Sequence, residues 1–295
     1  MAEPQEPAAR FRLGCPVWAC EAWVGSLYST RNRRRWLGEY SRVFGTVEGN
    51  STFYATPADD LVRRWADEAA PGFRFALKTP AAITHEKQLA GAERETAEWL
   101  LRLRVLRAAD RLGPTLLQLP PLFDGGRLDT LAAYLAAWPD DLPLAVEPRH
   151  ADYFDGGSVE NALDALLRSV GADRALFDSR ALFHAPPDDP IEAASQDRKP
   201  RPPRRLTVTG RRPFLRFVGR NDLAKAQPWI DEWAAVIAAW IEGGYEPYVF
   251  CHAPNDALAP AFAERLHAAI QNHAAEIASL PEWPGRSAAK QQSLF

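Results

Sequence analysis

The sequence predicts a single TIM-barrel-like (β/α)8 domain, an α/β fold with parallel strands. Three observations predict it. Eight short apolar runs alternate with longer segments of helical period along 295 residues, which is the pattern of parallel strands joined by right-handed crossovers. Seven of the runs carry a polar residue late in an otherwise apolar stretch, as expected where strand ends open onto one mouth. The first run is followed by GCPVWACEAWVG, not by the Gly-rich phosphate turn expected of an open doubly wound sheet.

Taken in order, the strand-like runs are Arg12–Trp18, Thr46–Ser51, Arg74–Lys78, Thr115–Pro120, Leu144–Arg149, Arg174–Ser179, Pro213–Gly219 and Pro247–Ala253. Helices are expected between them. Thr56 is a candidate N-cap, with Pro57 at the first helical position and Asp59 and Asp60 in the first turn, where the helix dipole favours acids. Ser158 can cap SVENALDALLRSV, which runs to Gly171, and PWIDEWAAVIAAWIEGG stops at Gly243. One connection breaks the rhythm. Arg180 to Arg212 is rich in Pro, Asp and Arg, so a helix there is short or absent, and long loops are usually functional or disordered. Residues 1–10 are expected as a disordered tail, 11–280 as the barrel, and 281–295 as a polar tail ending in QQSLF.

A net charge of −3 excludes a strongly basic nucleic-acid binder as a whole and leaves room only for a local patch. Three cysteines make no disulfide framework and fit a reducing compartment. The start has no basic region followed by an apolar run, and no apolar stretch approaches the roughly 20 residues that cross a bilayer. The expectation is a cytoplasmic protein without a membrane partner.

The stretch TVEGNSTFYATP sets Glu48 and Asn50 two residues apart, on one face of a strand. Glu48 has company: Lys78, Gln118, Glu147, Asp178, Arg216 and His252 each sit late in a run, with Asn50, Arg149 and His150 just above. Burying an unpaired charge costs several kcal/mol, so these groups must pair or bind something. They read either as a structural ion network, Glu48 or Glu147 with Arg216 and Lys78, or as a ligand site built on that network. Opposed acids and bases in one pocket shift each other's pKa values, which is how general acid–base pairs arise.

VEGNSTFYATP, FALKTPAAITH, LGPTLLQLPPLF, AVEPRHADYF and YVFCHAPND together resemble the YecE-like family, domain of unknown function 72, over roughly Phe11 to Ile270. The resemblance implies a TIM-barrel-like fold and supplies no established reaction. It marks Glu48, Asn50, Ser51, Thr52, Phe53 and Tyr54 at the second strand, and Lys78, Thr84 and His85 at the third. It marks Gln118, Pro120 and Pro121 at the fourth, Glu147, Arg149 and His150 at the fifth, and Arg216 and Gly219 at the seventh. The chain departs from the family pattern at Val218, where R-F-H-G has a His, and at Pro148, which takes an aromatic position. In CHAPND, His252 and Asn255 stand near the usual Asn-Asn. A mechanism resting on the seventh-strand His does not carry over unless His252 has taken its role.

Three chemistries fit these residue types. Glu48, Glu147, Asp178 and His252 could ligate a divalent metal for hydrolysis, though no H-x-x-x-H or C-x-x-C spacing accompanies them. Two carboxylates across a mouth could cleave glycosides without a metal. Phosphate or nucleic-acid handling is the third. Arg31, Arg33, Arg34 and Arg35, with Arg198, Lys199, Arg201, Arg204, Arg205, Arg211 and Arg212, could form a basic rim around an acidic pocket. Cys251 and His252 point to opposite faces of their strand, against a Cys–His nucleophile pair.

The favoured expectation is a hydrolase acting on a phosphate-bearing or nucleic-acid substrate. Glu48 and Glu147 would be its acid–base or metal-binding carboxylates, Lys78 and Arg216 would hold an anionic group, and His252 or His85 would carry a proton. Asn50, Tyr54, Gln118, Arg149, His150, Asp178 and Asn255 would line the substrate. The alternatives are a carbohydrate-active enzyme and a non-catalytic adaptor. QQSLF resembles the peptide by which bacterial DNA-processing enzymes dock on the sliding clamp, through Gln291, Leu294 and Phe295.

Overall fold

A computed structural model describes residues 11–292, the last four by backbone alone. The strands are β1 Arg12–Gly14, β2 Thr46–Gly49, β3 Arg74–Leu77, β4 Thr115–Gln118, β5 Leu144–Glu147, β6 Asp173–Asp178, β7 Phe214–Val218 and β8 Tyr248–His252. Each falls on one of the eight expected runs. Helices lie between and after them: α1 Trp36–Val43, α2 Ser51–Tyr54, α3 Asp59–Glu68, α4 Glu93–Ala108, α5 Leu128–Ala136, α6 Ser158–Ser169, α7 Arg180–Phe183, α8 Pro190–Arg198, α9 Gln227–Glu242, α10 Ala259–Gln271 and α11 Pro284–Gln292. Among the described residues no helix is long and apolar enough to cross a membrane.

All strand pairs are parallel. Six strands form a half-barrel in the order β1-β8-β7-β6-β5-β4, and β2 and β3 pair separately. The hydrogen-bonded ladder is thus six strands plus two, and both seams have a physical cause. Between β1 and β2, the Tyr40 hydroxyl from α1 accepts from the Cys15 N–H at 2.7 Å and donates to the Thr46 carbonyl at 3.0 Å. A side chain thus stands where ladder bonds would run. The strands still approach closely, because a Cβ at Gly14 would meet the Thr46 oxygen at 2.0 Å, and Glu48 N–H donates to Cys15 O at 3.0 Å. Between β3 and β4, single bridges pair Phe75 with Leu112 and Lys78 with Leu116. The second pairing is offset by one residue from the first, which is a bulge around Gly113 and Pro114, and proline has no N–H to give a ladder.

Strand alternation builds the interior in layers. Ala76, Leu116, Ala145, Ala175, Phe214, Tyr248 and Phe250 pack as one buried apolar cluster. Two residues further along the same faces come Lys78, Gln118, Glu147, Phe177, Arg216 and His252. An apolar plug thus lies beneath a mostly polar layer.

Two local expectations shift. α3 begins at Asp59 with Ala58 extended before it, two residues later than predicted, because the Pro57 carbonyl is taken by Arg102 Nε at 2.8 Å. The 180–212 connection is largely folded. α8 is capped by Asp189, whose carboxylate accepts the Ile191 and Glu192 N–H groups. Glu192 meets Arg220 at 2.6 Å, both side chains fully buried, and Ser179 Oγ donates to the Pro200 carbonyl at 2.7 Å. These contacts carry the segment across the C-terminal end of the half-barrel.

The chain after Leu280, expected as a polar tail, folds back as α11. Trp283 is buried, Arg286 N–H donates to the Ser26 carbonyl at 3.1 Å, and Arg286 pairs with Glu264. Leu294 and Phe295 of the expected docking peptide lie outside the described residues, as does the 1–10 segment.

Candidate functional site

Arg216, on β7, is the hub. Its Nη2 and Nε reach Glu48 Oε1 and Oε2 on β2 at 2.6 and 2.7 Å, and its Nη1 reaches Glu147 Oε2 on β5 at 2.7 Å. Glu147 Oε1 accepts from Gln118 Nε2 at 2.7 Å and from Arg149 Nε. His252 Nε2 lies 3.2 Å from Glu48 Oε2. Burial works against both carboxylates, but Arg216 and His252 hold Glu48 well below the usual range, and Arg149 and Arg216 bring Glu147 down to about 2. Burial lowers the His252 pKa against the pull of Glu48. The two acids and two guanidiniums are charge-balanced and supply one another's hydrogen bonds, which is what burial of such groups requires.

Above this floor opens a cavity of about 500 Å³. Asn50, whose amide donates to the Pro16 carbonyl at 3.1 Å, lines it with Tyr54, which is 84% exposed at the rim. Lys78 and Lys199 also face it. Lys78, only 9% exposed, sits with Nζ 3.8 Å from the Phe53 ring centroid. Burial, then Arg216, pushes each ammonium down to about 8. Among the described residues neither Nζ has an ion pair or a hydrogen bond.

The structure brings Glu48, Lys78, Gln118, Glu147, Arg149, Arg216 and His252 together. His85 stands beside them, its ring 4.8 Å from that of Phe53 and its Nδ1 2.8 Å from Thr84 Oγ1; burial, then Lys78, lowers it to about 4. Three expected residues go elsewhere. Asp178 follows the inward Phe177, so it points outward to Trp233 Nε1 of α9 at 2.7 Å and to Arg180. His150 caps the turn Ala151–Tyr153 through the Asp152 N–H, and Asn255 caps Asp256–Leu258 through the Ala257 N–H. Sequence reasoning missed Lys199 as a pocket residue. Its basic cluster was visible, but nothing in the sequence says which member turns inward.

The divalent-metal set does not fit. Among the described residues no three His, Cys, Asp or Glu side chains gather closely enough to hold a metal ion. Arg216 occupies both oxygens of Glu48 and one of Glu147, and Asp178 faces the helices.

A family profile described as protein of unknown function DUF72 matches residues 12–287. The chain belongs to the DUF72 family. UPF0759 protein YecE of Escherichia coli strain K12 is 32% identical over 283 residues, covering 96% of this chain and 99% of the relative. A DUF72 family protein of Enterococcus faecalis V583 superposes with a TM-score of 0.67 at 18% identity, over 88% of this chain and 95% of its own. One from Thermotoga maritima MSB8 gives 0.62 at 21% identity, over 90% and 99%. These two likenesses show a shared DUF72 fold.

Proposed function

We propose that the eight strands act as one closed barrel wall and that its C-terminal mouth is the active site of an enzyme for a small phosphate-bearing substrate. The observation that carries this reading is the pair Lys78 and Lys199, two ammonium groups that face one cavity and have no ion pair among the described residues. An uncompensated buried cation is costly, and an anionic ligand relieves that cost. Closure is supported by Arg216 of β7 reaching Glu48 of β2 across the interior, and by the backbone bonds at both seams.

Hydrolysis by Glu48 and Glu147 as an acid–base pair loses its support, because both are ionised and held by guanidiniums. They act instead as the frame that fixes Arg216. A long nucleic acid is also disfavoured. Arg33 and Arg35 pair with Glu21 and Glu39, and Arg204, Arg205 and Arg212 pair with Glu232, Glu160 and Glu246. Part of the rim is thereby neutralised, Arg34, Arg201 and Arg211 stay exposed, and Arg198 joins Lys78 and Lys199 at the cavity. The three cysteines are unpaired, which supports a reducing, cytoplasmic setting.

Calorimetric titration with inorganic phosphate tests the reading. Saturable binding to the full chain is expected, weakened in Lys199→Met and in Lys78→Met. Absence of saturable heat in the unaltered chain would remove it.

A further inference from the structure

Basic residues number 35, and only five are lysines: Lys78, Lys87, Lys199, Lys225 and Lys290. Lys87 pairs with Glu95 and Lys225 with Asp188, each at 2.7 Å. Among the lysines whose side chains are described, the two lining the cavity have no carboxylate partner. This chain meets nearly every other need for a cation with arginine, which binds anions with more donors and does not deprotonate. A lysine deep in the pocket therefore suggests a need for an amine.

The surroundings of Lys78 suit an amine. Its backbone N–H is held by the Gly49 carbonyl at the end of β3, so the side chain starts from rigid structure. Phe53 covers Nζ on one side. The two nearest strand carboxylates are engaged: Glu147 by Gln118, Arg149 and Arg216, and Glu48 by Arg216 and His252. The cavity leaves an approach from the mouth.

We propose that Lys78 is a nucleophile that forms an imine with an aldehyde or ketone of a substrate whose phosphate is held by Lys199 and Arg198 at the cavity wall. The phosphate half rests on the reading above; the imine half does not. The neutral amine lone pair forms the C–N bond as the carbonyl π pair moves to oxygen. That oxygen takes up two protons and departs as water, the nitrogen lone pair closes the C=N bond, and the nitrogen gives up both of its protons, so no net proton is consumed. The imine carries one C=N in place of one C=O, with no oxidation or reduction. Protonated, it draws electrons from the neighbouring carbon, so the reaction class is bond making or breaking at the carbon next to the carbonyl. The Phe53 face favours the ammonium, whereas burial and Arg216 favour the neutral amine.

Pyridoxal 5′-phosphate, used only as a probe that combines an aldehyde with a phosphate, tests both halves at pH 7. The full chain is treated with it, reduced with sodium borohydride and mapped by peptide mass. Label is expected on Lys78, arising roughly tenfold or more faster than on Lys87 or Lys225, since an amine titrating near 8 is far more often neutral than an ordinary lysine. Inorganic phosphate and Lys199→Met should slow it; Lys78→Arg should abolish it. Label on other lysines with Lys78 untouched would overturn the imine, and if phosphate still binds by calorimetry the pocket reading survives alone. Label on Lys78 that neither phosphate nor Lys199→Met slows, and that unphosphorylated pyridoxal matches, would sustain the nucleophile and overturn the phosphate-holding half. Because mapping uses the unaltered chain, a variant that fails to fold does not blunt the test.

Discussion

Arg216 and Glu48 are 168 residues apart and meet in a two-pronged ion pair, Nε to Oε2 at 2.7 Å and Nη2 to Oε1 at 2.6 Å. The pair joins β7 of the half-barrel to β2 of the two-stranded ladder. Removing one partner leaves a buried charge. Arg216→Leu is expected to cost about 3–5 kcal/mol, because Glu48 and Glu147 lose the guanidinium they share and only Glu147 keeps another, Arg149. Arg216→Leu with Glu48→Gln and Glu147→Gln should recover part of that loss. Urea denaturation of the three proteins measures it, and equal stability of Arg216→Leu and the unaltered chain would refute it.

Acid and base act on different carboxyls with opposite sign. Glu48 and Glu147 titrate lower in the folded chain than unfolded, so their contribution is full above about 4.5 and is lost as pH falls below it, for Glu147 toward about 2. Each steepens the acid limb by up to about 1.4 kcal/mol per pH unit. Asp173 is buried, and burial raises it to about 7. Folding there favours the protonated form, so its contribution is lost as pH rises from 3.8 to 7. Asp173→Asn should be more stable than the unaltered chain at pH 8 and show no gain near pH 3.5; thermal melts across that range decide it.

Tyr40 stands in for a ladder at the β1–β2 seam. Tyr40→Phe leaves the Cys15 N–H and the Thr46 carbonyl without their hydroxyl partner and should cost about 1–3 kcal/mol. Hydrogen exchange at the Cys15 amide should accelerate. Unchanged exchange there would show that the hydroxyl does not hold the seam.

Glu192 and Arg220 fasten α8 over the mouth. Glu192→Ala should destabilise by about 2–4 kcal/mol, since it removes the buried carboxylate partner of a fully buried guanidinium and leaves it only the half-exposed Asp188. It should also weaken phosphate binding, by releasing Lys199 from the cavity wall. Calorimetry of the folded variant at low temperature would show unaltered affinity if the segment does not position Lys199.

The strands were legible because a buried parallel strand announces itself as an apolar run. The polar layer was legible because most of its members follow an apolar residue by two, as Gln118 follows Leu116 and Arg216 follows Phe214. Asp178 was misplaced because β6 carries Phe177 and Asp178 side by side, and only the pairing of Phe177 with Arg216 fixes which points inward. His150 and Asn255 are caps whose role needs only the N–H two residues on, a local signal that the pull of a polar cluster obscured. Lys199 and the seams depend on contacts between distant segments, α8 with Arg220 and Tyr40 with two strands, which no periodicity encodes.

Five lysines make the central claim directly observable. Titration of the Nζ resonances by NMR, assigned by single Lys→Arg variants, should show Lys78 and Lys199 with midpoints near 8, well below the ordinary lysine value. Inorganic phosphate should move both upward. Midpoints near the ordinary lysine value for all five, indifferent to phosphate, would contradict the account.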